Sequence, residues 1–193
     1  MIRIALLVAA GLALTGCSKP QLNQETAARV IRESAHFREP GFVGVDHQDA
    51  PSDCKAKIAE DADWRTLARI GWLQVHDEED FERASEGQAA VKCVGTLSGD
   101  GLRAGAALNT SIYEQWRIPA AARELVAIQS ITYVGDGLAT VRFTTRWRLN
   151  AFGGQILQVG HESAGAAVVR HLDGSWQLAD FTSLPDLSPV RLP

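Results

Sequence analysis

The stretch "ITYVGDGLATVRF", residues 131–143, constrains the fold most. Apolar and polar residues alternate on both sides of Gly135-Asp136-Gly137, and a glycine-bounded turn between alternating runs marks a β-hairpin. The spacing predicts strands over Glu124–Val134 and Leu138–Leu149. A three-residue loop sets Leu125 opposite Trp147, Ile131 opposite Val141 and Tyr133 opposite Ala139, with Glu124–Arg148 and Ser130–Arg142 on the other side. That register separates apolar from charged side chains, and a one-residue slip would undo it. A second hairpin follows, Ala166–Leu172 and Ser175–Phe181, turning at Asp173-Gly174 and setting Val169 beside Leu178 and His171 beside Trp176. Beyond Thr182 the prolines leave an irregular tail.

The first half reads as mostly helical. In Leu22–Phe37, Leu22, Ala27, Val30, Ile31 and Ser34 recur near helical spacing, and Pro40-Gly41 ends the run. The following "GFVGV" is short and apolar enough for a strand. Asp61–Val75 is a second helical segment, capped by Asp61 or Asp63, with Trp64, Leu67, Ala68 and Leu73 on one face and Gly71 near its end. Asp77–Gly87 is an acidic connector leading to a strand over Ala89–Leu97. The expected fold class is α+β, one domain over residues 22–193, with N-terminal helices packed on C-terminal antiparallel hairpins.

The chain opens with Met1-Ile2-Arg3 and an apolar run, Ile4–Leu14, broken only by Gly11. At about 1.5 Å per residue the run reaches about 16 Å as a helix, half of what a bilayer core requires. This is the plan of a secretory signal peptide over residues 1–16. Leu14-Thr15-Gly16-Cys17 resembles the lipobox of bacterial lipoprotein signal peptides. The resemblance implies cleavage before Cys17 and a thioether-linked diacylglyceryl group on its thiol, usually with a third, amide-linked acyl chain. Residues 17–21 would then be a lipidated tether. Two or more acyl chains hold a protein stably to a bilayer. Ser18, after the cysteine, fits sorting to the outer membrane, with the domain facing the periplasm.

Cys54 and Cys93 remain as a pair in an oxidising compartment and are expected to form a disulfide. A closed loop of about 39 residues is worth roughly 4 kcal/mol by chain entropy. They form no Cys-x-x-Cys redox pair, and zinc would need further ligands at suitable spacing.

Two weaker resemblances concern the domain itself. "LARIGWL" and "VGTLSGDGLRAGAAL" are similar to the helix–strand and strand–turn–helix parts of a small winged-helix unit. That similarity concerns shape alone: the segment has no basic recognition helix, and the net charge of −4 argues against nucleic acid. "VVRHLDGSWQLADF" resembles the closing hairpin of small exported α+β domains, including cystatin-like and NTF2-like ones.

Few residues invite chemistry. "GHESAG", Gly160–Gly165, misses the nucleophile-elbow pattern because His161 stands where its first glycine belongs, and it reads as a polar loop. His36, His47, His76, His161 and His171 are scattered, and His76-Asp77-Glu78-Glu79-Asp80 lacks EF-hand spacing. No metal or cofactor is expected. Trp64, Trp147 and Trp176 fall on apolar faces, where core packing is the default. Arg142, Arg146 and Arg148 alternate with Val141, Phe143 and Trp147 and form a stripe about 20 Å long. The stripe is either the wet side of a half-buried sheet or a face for an anionic partner.

The expectation is a membrane-anchored, non-enzymatic binding or accessory module for another envelope component. The alternatives are an inhibitor or immunity lipoprotein directed at an envelope-degrading effector, and a carrier of a small molecule or lipid.

Overall fold

The computed structural model describes residues 21–47, 52–86, 91–109, 115–160, 162–187 and 190–192. Cys17 and His161 lie outside them. The elements, in order, are α1 (Gln24–Glu33), α2 (Ala35–Arg38), β1 (Gly41–Asp46), α3 (Cys54–Glu60), α4 (Ala62–Arg69), β2 (Leu73–Glu79), α5 (Phe81–Ser85) and β3 (Val91–Leu97). Then come α6 (Gly99–Arg103), β4 (Ala107–Asn109), β5 (Gln115–Gly135), β6 (Leu138–Leu149), α7 (Gly153–Ile156), β7 (Leu157–Gln158), β8 (Ser163–Leu172), β9 (Ser175–Ser183) and β10 (Val190–Arg191). The fold is mixed, with more strand than helix. Its main element is an antiparallel sheet in the order β1-β5-β6-β8-β9, with β4 also on β5.

Strand β5, 21 residues long, organises the molecule. Its first third pairs with β1 and β4, and from Ala121 onward it pairs with β6. It thereby joins two apolar cores. In one, Trp116 and Ile118 of β5 meet Val45, Trp64, Leu67, Cys93 and Phe152. In the other, Leu125 of β5 meets Val30, Ile31 and Phe37 of the N-terminal helices and Val141, Phe143, Val169 and Trp176 of the two hairpins. Gly95 makes the first core possible: a Cβ there would lie 2.7 Å from the Trp64 ring and 2.8 Å from the Trp116 ring.

Both hairpins form. Ile131–Val141, Tyr133–Ala139 and Ser130–Arg142 pair as expected, and so do Val169–Leu178 and His171–Trp176. The second turn has Asp173 and Gly174 both at positive φ, 49° and 78°, as a two-residue primed turn requires. At the tip of the first hairpin Gly135 pairs with Leu138, so the loop is the two residues Asp136-Gly137 and not the expected three. A bulge at Val134 absorbs the difference, and farther from the tip the expected partners are wrong. Leu125 faces Thr145 and Glu124 faces Arg146, because register shifts on β5 leave Val126 and Gln129 without direct partners. Two single-residue bulges together move the pairing by two positions, so residues beyond both keep their face and change their neighbour, while Ala127 and Ile128 between them switch faces and Ile128 packs against the second core.

Other boundaries also differ. The helix expected over Leu22–Phe37 is two helices, because Ser34 both closes one and opens the next. Its hydroxyl donates to the Ile31 carbonyl at 2.8 Å and accepts from the Phe37 N–H at 3.3 Å. The second helix starts where Asp61 caps the N–H groups of Asp63 and Trp64, at 3.0 and 3.1 Å. It ends before Gly71 (φ +77°), so Leu73–Val75 belongs to strand β2 and not to the helix. The acidic connector is itself ordered: β2 continues to Glu79 and α5 follows. Helix α3 carries Cys54, and the Asp77 carboxylate accepts from the Cys54 N–H at 2.7 Å. The Cys54–Cys93 disulfide is present, with Cα atoms 4.6 Å apart, and closes α3 onto β3 beneath Trp64. No described helix is long and apolar enough to cross a membrane.

Candidate binding face

The sheet has an inner face covered by α1 and α2 and an outer face left to solvent. On β6, Val141, Phe143 and Thr145 point inward and are buried, while Arg142, Arg146 and Arg148 point outward and are exposed. The stripe read from alternation is therefore real. Arg170 of β8 extends it, since it stands opposite Leu138, four positions before Arg142. The four arginines span about 33 Å along the strands.

The neighbouring positions on the outer face are small. Thr144 stands opposite Ala164, Arg142 opposite Ala166 and Thr140 opposite Val168, so no bulky side chain separates the guanidinium groups from an approaching surface. Arg146 donates to the Glu124 carboxylate at 2.9 Å. This hydrogen bond, and then the charge of Arg146, holds the Glu124 carboxyl below the usual range, with Arg148 adding to the effect. The same pair raises Arg146. The residue neutralised is thus Arg146, where sequence spacing had suggested Arg148. Arg142, Arg148 and Arg170 form no hydrogen bond or ion pair with a described residue. Glu162 acts on Arg146 through space, and Asp180 stands opposite Val168 at the far side of the sheet. On a chain of net charge −4 the face is a local reversal of sign.

A second arginine site lies on the inner side, and sequence spacing did not find it. Arg123 is half-buried where β5 passes α2. It donates to the carbonyls of His36 (2.9 Å) and Phe37 (3.4 Å) on one side and of Pro185 (3.1 Å) on the other, with its guanidinium 4.3 Å from the centre of the Trp147 ring. Its Nε is buried without a partner. Burial lowers its pKa, and the charges of Asp186 and Glu39 oppose that. Arg117 stacks on Phe42 at 3.7 Å and pairs with Glu39 at 3.1 Å. The cleft between these two arginines is about 240 Å³ and is also lined by Asp186 and Leu187. Arg117 is spent on Glu39 and the Arg123 NH groups on carbonyls of α2 and of Pro185, so the pair acts as a clasp that fastens α2 and the C-terminal tail to the sheet.

The remaining candidates do not converge. Ser163 opens strand β8, and Gly165 lies inside it, packed against Phe143, so this end of "GHESAG" is strand and not a loop or a strand-to-helix elbow. His76–Asp80 runs along β2 into the cap of α5, and no cluster of metal-ligating side chains occurs among the described residues. Trp64 and Trp116 are core, Trp176 closes the second core, and Trp147 serves the Arg123 clasp. No protein-family model, no curated protein and no solved structure matches this chain.

Proposed function

We propose that this chain is a lipid-anchored envelope lipoprotein, held at the periplasmic side of the outer membrane through Cys17, that works as a non-enzymatic binding module. Its outer sheet face engages an anionic envelope component, most simply another envelope protein. The observation that carries this reading is the exposure of Arg142 and Arg148 on an uncluttered strand face where, among the described residues, a carboxylate holds Arg146 alone. Arginine forks suit carboxylate and phosphate groups, and the guanidinium is weakly hydrated enough to give up water at an interface. The leader and the lipobox-like Leu14-Thr15-Gly16-Cys17 support the anchoring, and a disulfide suits an oxidising compartment. The finer architecture, a winged-helix-like segment between the helices and the sheet, draws support from the passage of α4 through Gly71 into β2 and of β3 into α6. It carries no nucleic-acid role.

The test is cross-linking in intact cells, followed by purification of the native lipoprotein and of an Arg142→Glu/Arg148→Glu variant. The wild type should bring down a discrete envelope component, and the variant should recover at least tenfold less at equal abundance and equal circular dichroism. Equal recovery by both forms would reject the face as the binding surface.

A further inference from the structure

We infer that the tips of the two hairpins are the surface that rests on the lipid bilayer, with Val134 and Leu172 as its apolar contacts. The inference rests on the lipid anchor proposed above and adds which end of the molecule that anchor brings to the membrane.

The geometry starts at Leu22. Its side chain is buried in the second core, and its backbone is tied at both polar groups to one side chain. The Tyr133 hydroxyl accepts from the Leu22 N–H at 2.6 Å and donates to the Leu22 carbonyl at 3.3 Å. Tyr133 lies near the tip of the β5–β6 hairpin, two residues before Gly135. The chain therefore leaves the fold toward its N-terminus beside that tip. Cys17 is five residues earlier, and a fully extended chain of that length spans at most about 18 Å. Acyl chains on Cys17 hold it at the headgroup level, so the tip cannot stand farther than that from the bilayer.

The second tip sits alongside. The His171 N–H donates to the Gly137 carbonyl at 2.7 Å, and Tyr133 and His171 flank the same Trp176 ring at centroid distances of 6.3 and 5.3 Å. Two turns joined in this way present one surface. On it Val134 is 57% exposed and Leu172 is 37% exposed, and the Tyr133 ring lies at the margin. Rings with a polar edge suit the boundary between headgroups and acyl chains. The two turns carry Asp136 and Asp173, and Arg170 stands beside them opposite Leu138, so the charges are of both signs, which suits a mainly zwitterionic surface better than a strongly anionic one.

The placement also separates the two surfaces of the molecule. Arg142 lies about 13 Å along the strand from the tip and Arg148 about 33 Å. Both distances exceed the Debye length of about 8 Å at physiological salt, so lipid headgroups beneath the tips reach Arg170 at the end of the stripe but do not satisfy Arg142, Arg146 and Arg148.

The experiment uses the full lipoprotein, purified with its acyl chains and reconstituted into phosphatidylethanolamine/phosphatidylcholine vesicles. Single variants Val134→Cys, Leu172→Cys and Leu102→Cys are labelled with an environment-sensitive fluorophore without reducing the buried disulfide. Leu102 is the control: it is also 57% exposed and apolar, but it lies on α6 near the opposite end of β5. Mass spectrometry establishes acylation first. Labels at 134 and 172 should be quenched at least threefold more by headgroup-proximal nitroxide lipids than the label at 102. Acylated protein with equal quenching at all three positions would overturn the inference and leave the anchor standing. Protein without acyl chains would overturn both.

Discussion

Gly165 offers a sharp test of the register that decides which way the arginines face. It stands opposite Phe143 across β6 and β8, and a Cβ built on it would lie 2.6 Å from the Phe143 Cζ and 3.1 Å from Cδ2. No real Cβ approaches so closely, and the ring has little room to yield. Phe143 is 1% exposed and packs edge-on against Phe181 at 6.1 Å. Because Gly165 is not at positive φ, alanine imposes no backbone strain there and the ring contact alone decides the sign. Gly165→Ala should therefore destabilise by about 1–3 kcal/mol, the usual cost of overpacking a filled core. For a domain of this size that is a fall in Tm of roughly 2–12 °C. Gly154→Ala is the matched control: nothing lies within 4 Å of its Cβ, so the same substitution should be neutral or stabilise by about 0.4–1 kcal/mol. Phe143→Leu should cost less in the Gly165→Ala background than alone, a coupling of at least about 0.5 kcal/mol in a double-mutant cycle. Urea unfolding of the four forms measures all of this. If Gly165→Ala matched the wild type, or if the two changes were additive, the β6–β8 register would be wrong, and the outward placement of Arg142 with it.

Removing the disulfide by Cys54→Ala/Cys93→Ala should lower stability by about 2–4 kcal/mol in denaturant, and thiol labelling of unreduced protein should find both cysteines blocked. Free thiols would contradict the pairing. Arg123→Leu strands three carbonyl acceptors and should cost about 2–3 kcal/mol, and Arg123→Lys should not restore it, since one ammonium cannot serve carbonyls on both α2 and the tail. Full rescue by lysine would refute the clasp. Glu124 is held below its ordinary range in the folded state, so its pairing with Arg146 contributes above the unfolded carboxyl pKa of about 4.3 and is lost as pH falls through the folded value. NMR titration should show the Glu124 midpoint rising in Arg146→Gln, and an unmoved midpoint would dismiss the pair.

What the sequence disclosed was local. Pairs close to the turns, Tyr133–Ala139 and His171–Trp176, follow from turn chemistry and alternation within a few residues. The alternation also placed Arg142, Arg146 and Arg148 on one face correctly, because the bulges fall on β5 and β6 itself alternates without a break. Those same bulges led it to misassign the carboxylate partner: nothing in "LVAIQS" announces that Val126 and Gln129 will be left without direct partners. The first nine residues of β5 were hidden by Pro119 and the alanines after it, which lower apparent strand propensity, and with them went Arg117 and Arg123. The clasp those arginines form joins residues 62 or more positions apart, from Pro185 to His36, and no spacing rule reaches that far. Helix α3 escaped notice because its sequence, "CKAKIAE", has one large apolar residue and no stripe. In the "DEED" run, composition spoke for a solvated connector, whereas pairing with β3 and the cap on Cys54 keep its first three residues in a strand.

The most direct measurement of the central claim is a pair of site-specific photo-cross-linking experiments in intact cells. A photoreactive amino acid replaces Ala164, exposed on the outer face beside the stripe, or Arg29, exposed on the helix that covers the inner face. A binding face on the arginine side predicts one discrete adduct from position 164 and none from position 29. Adducts from position 29 alone, or the same adducts from both positions, would contradict it.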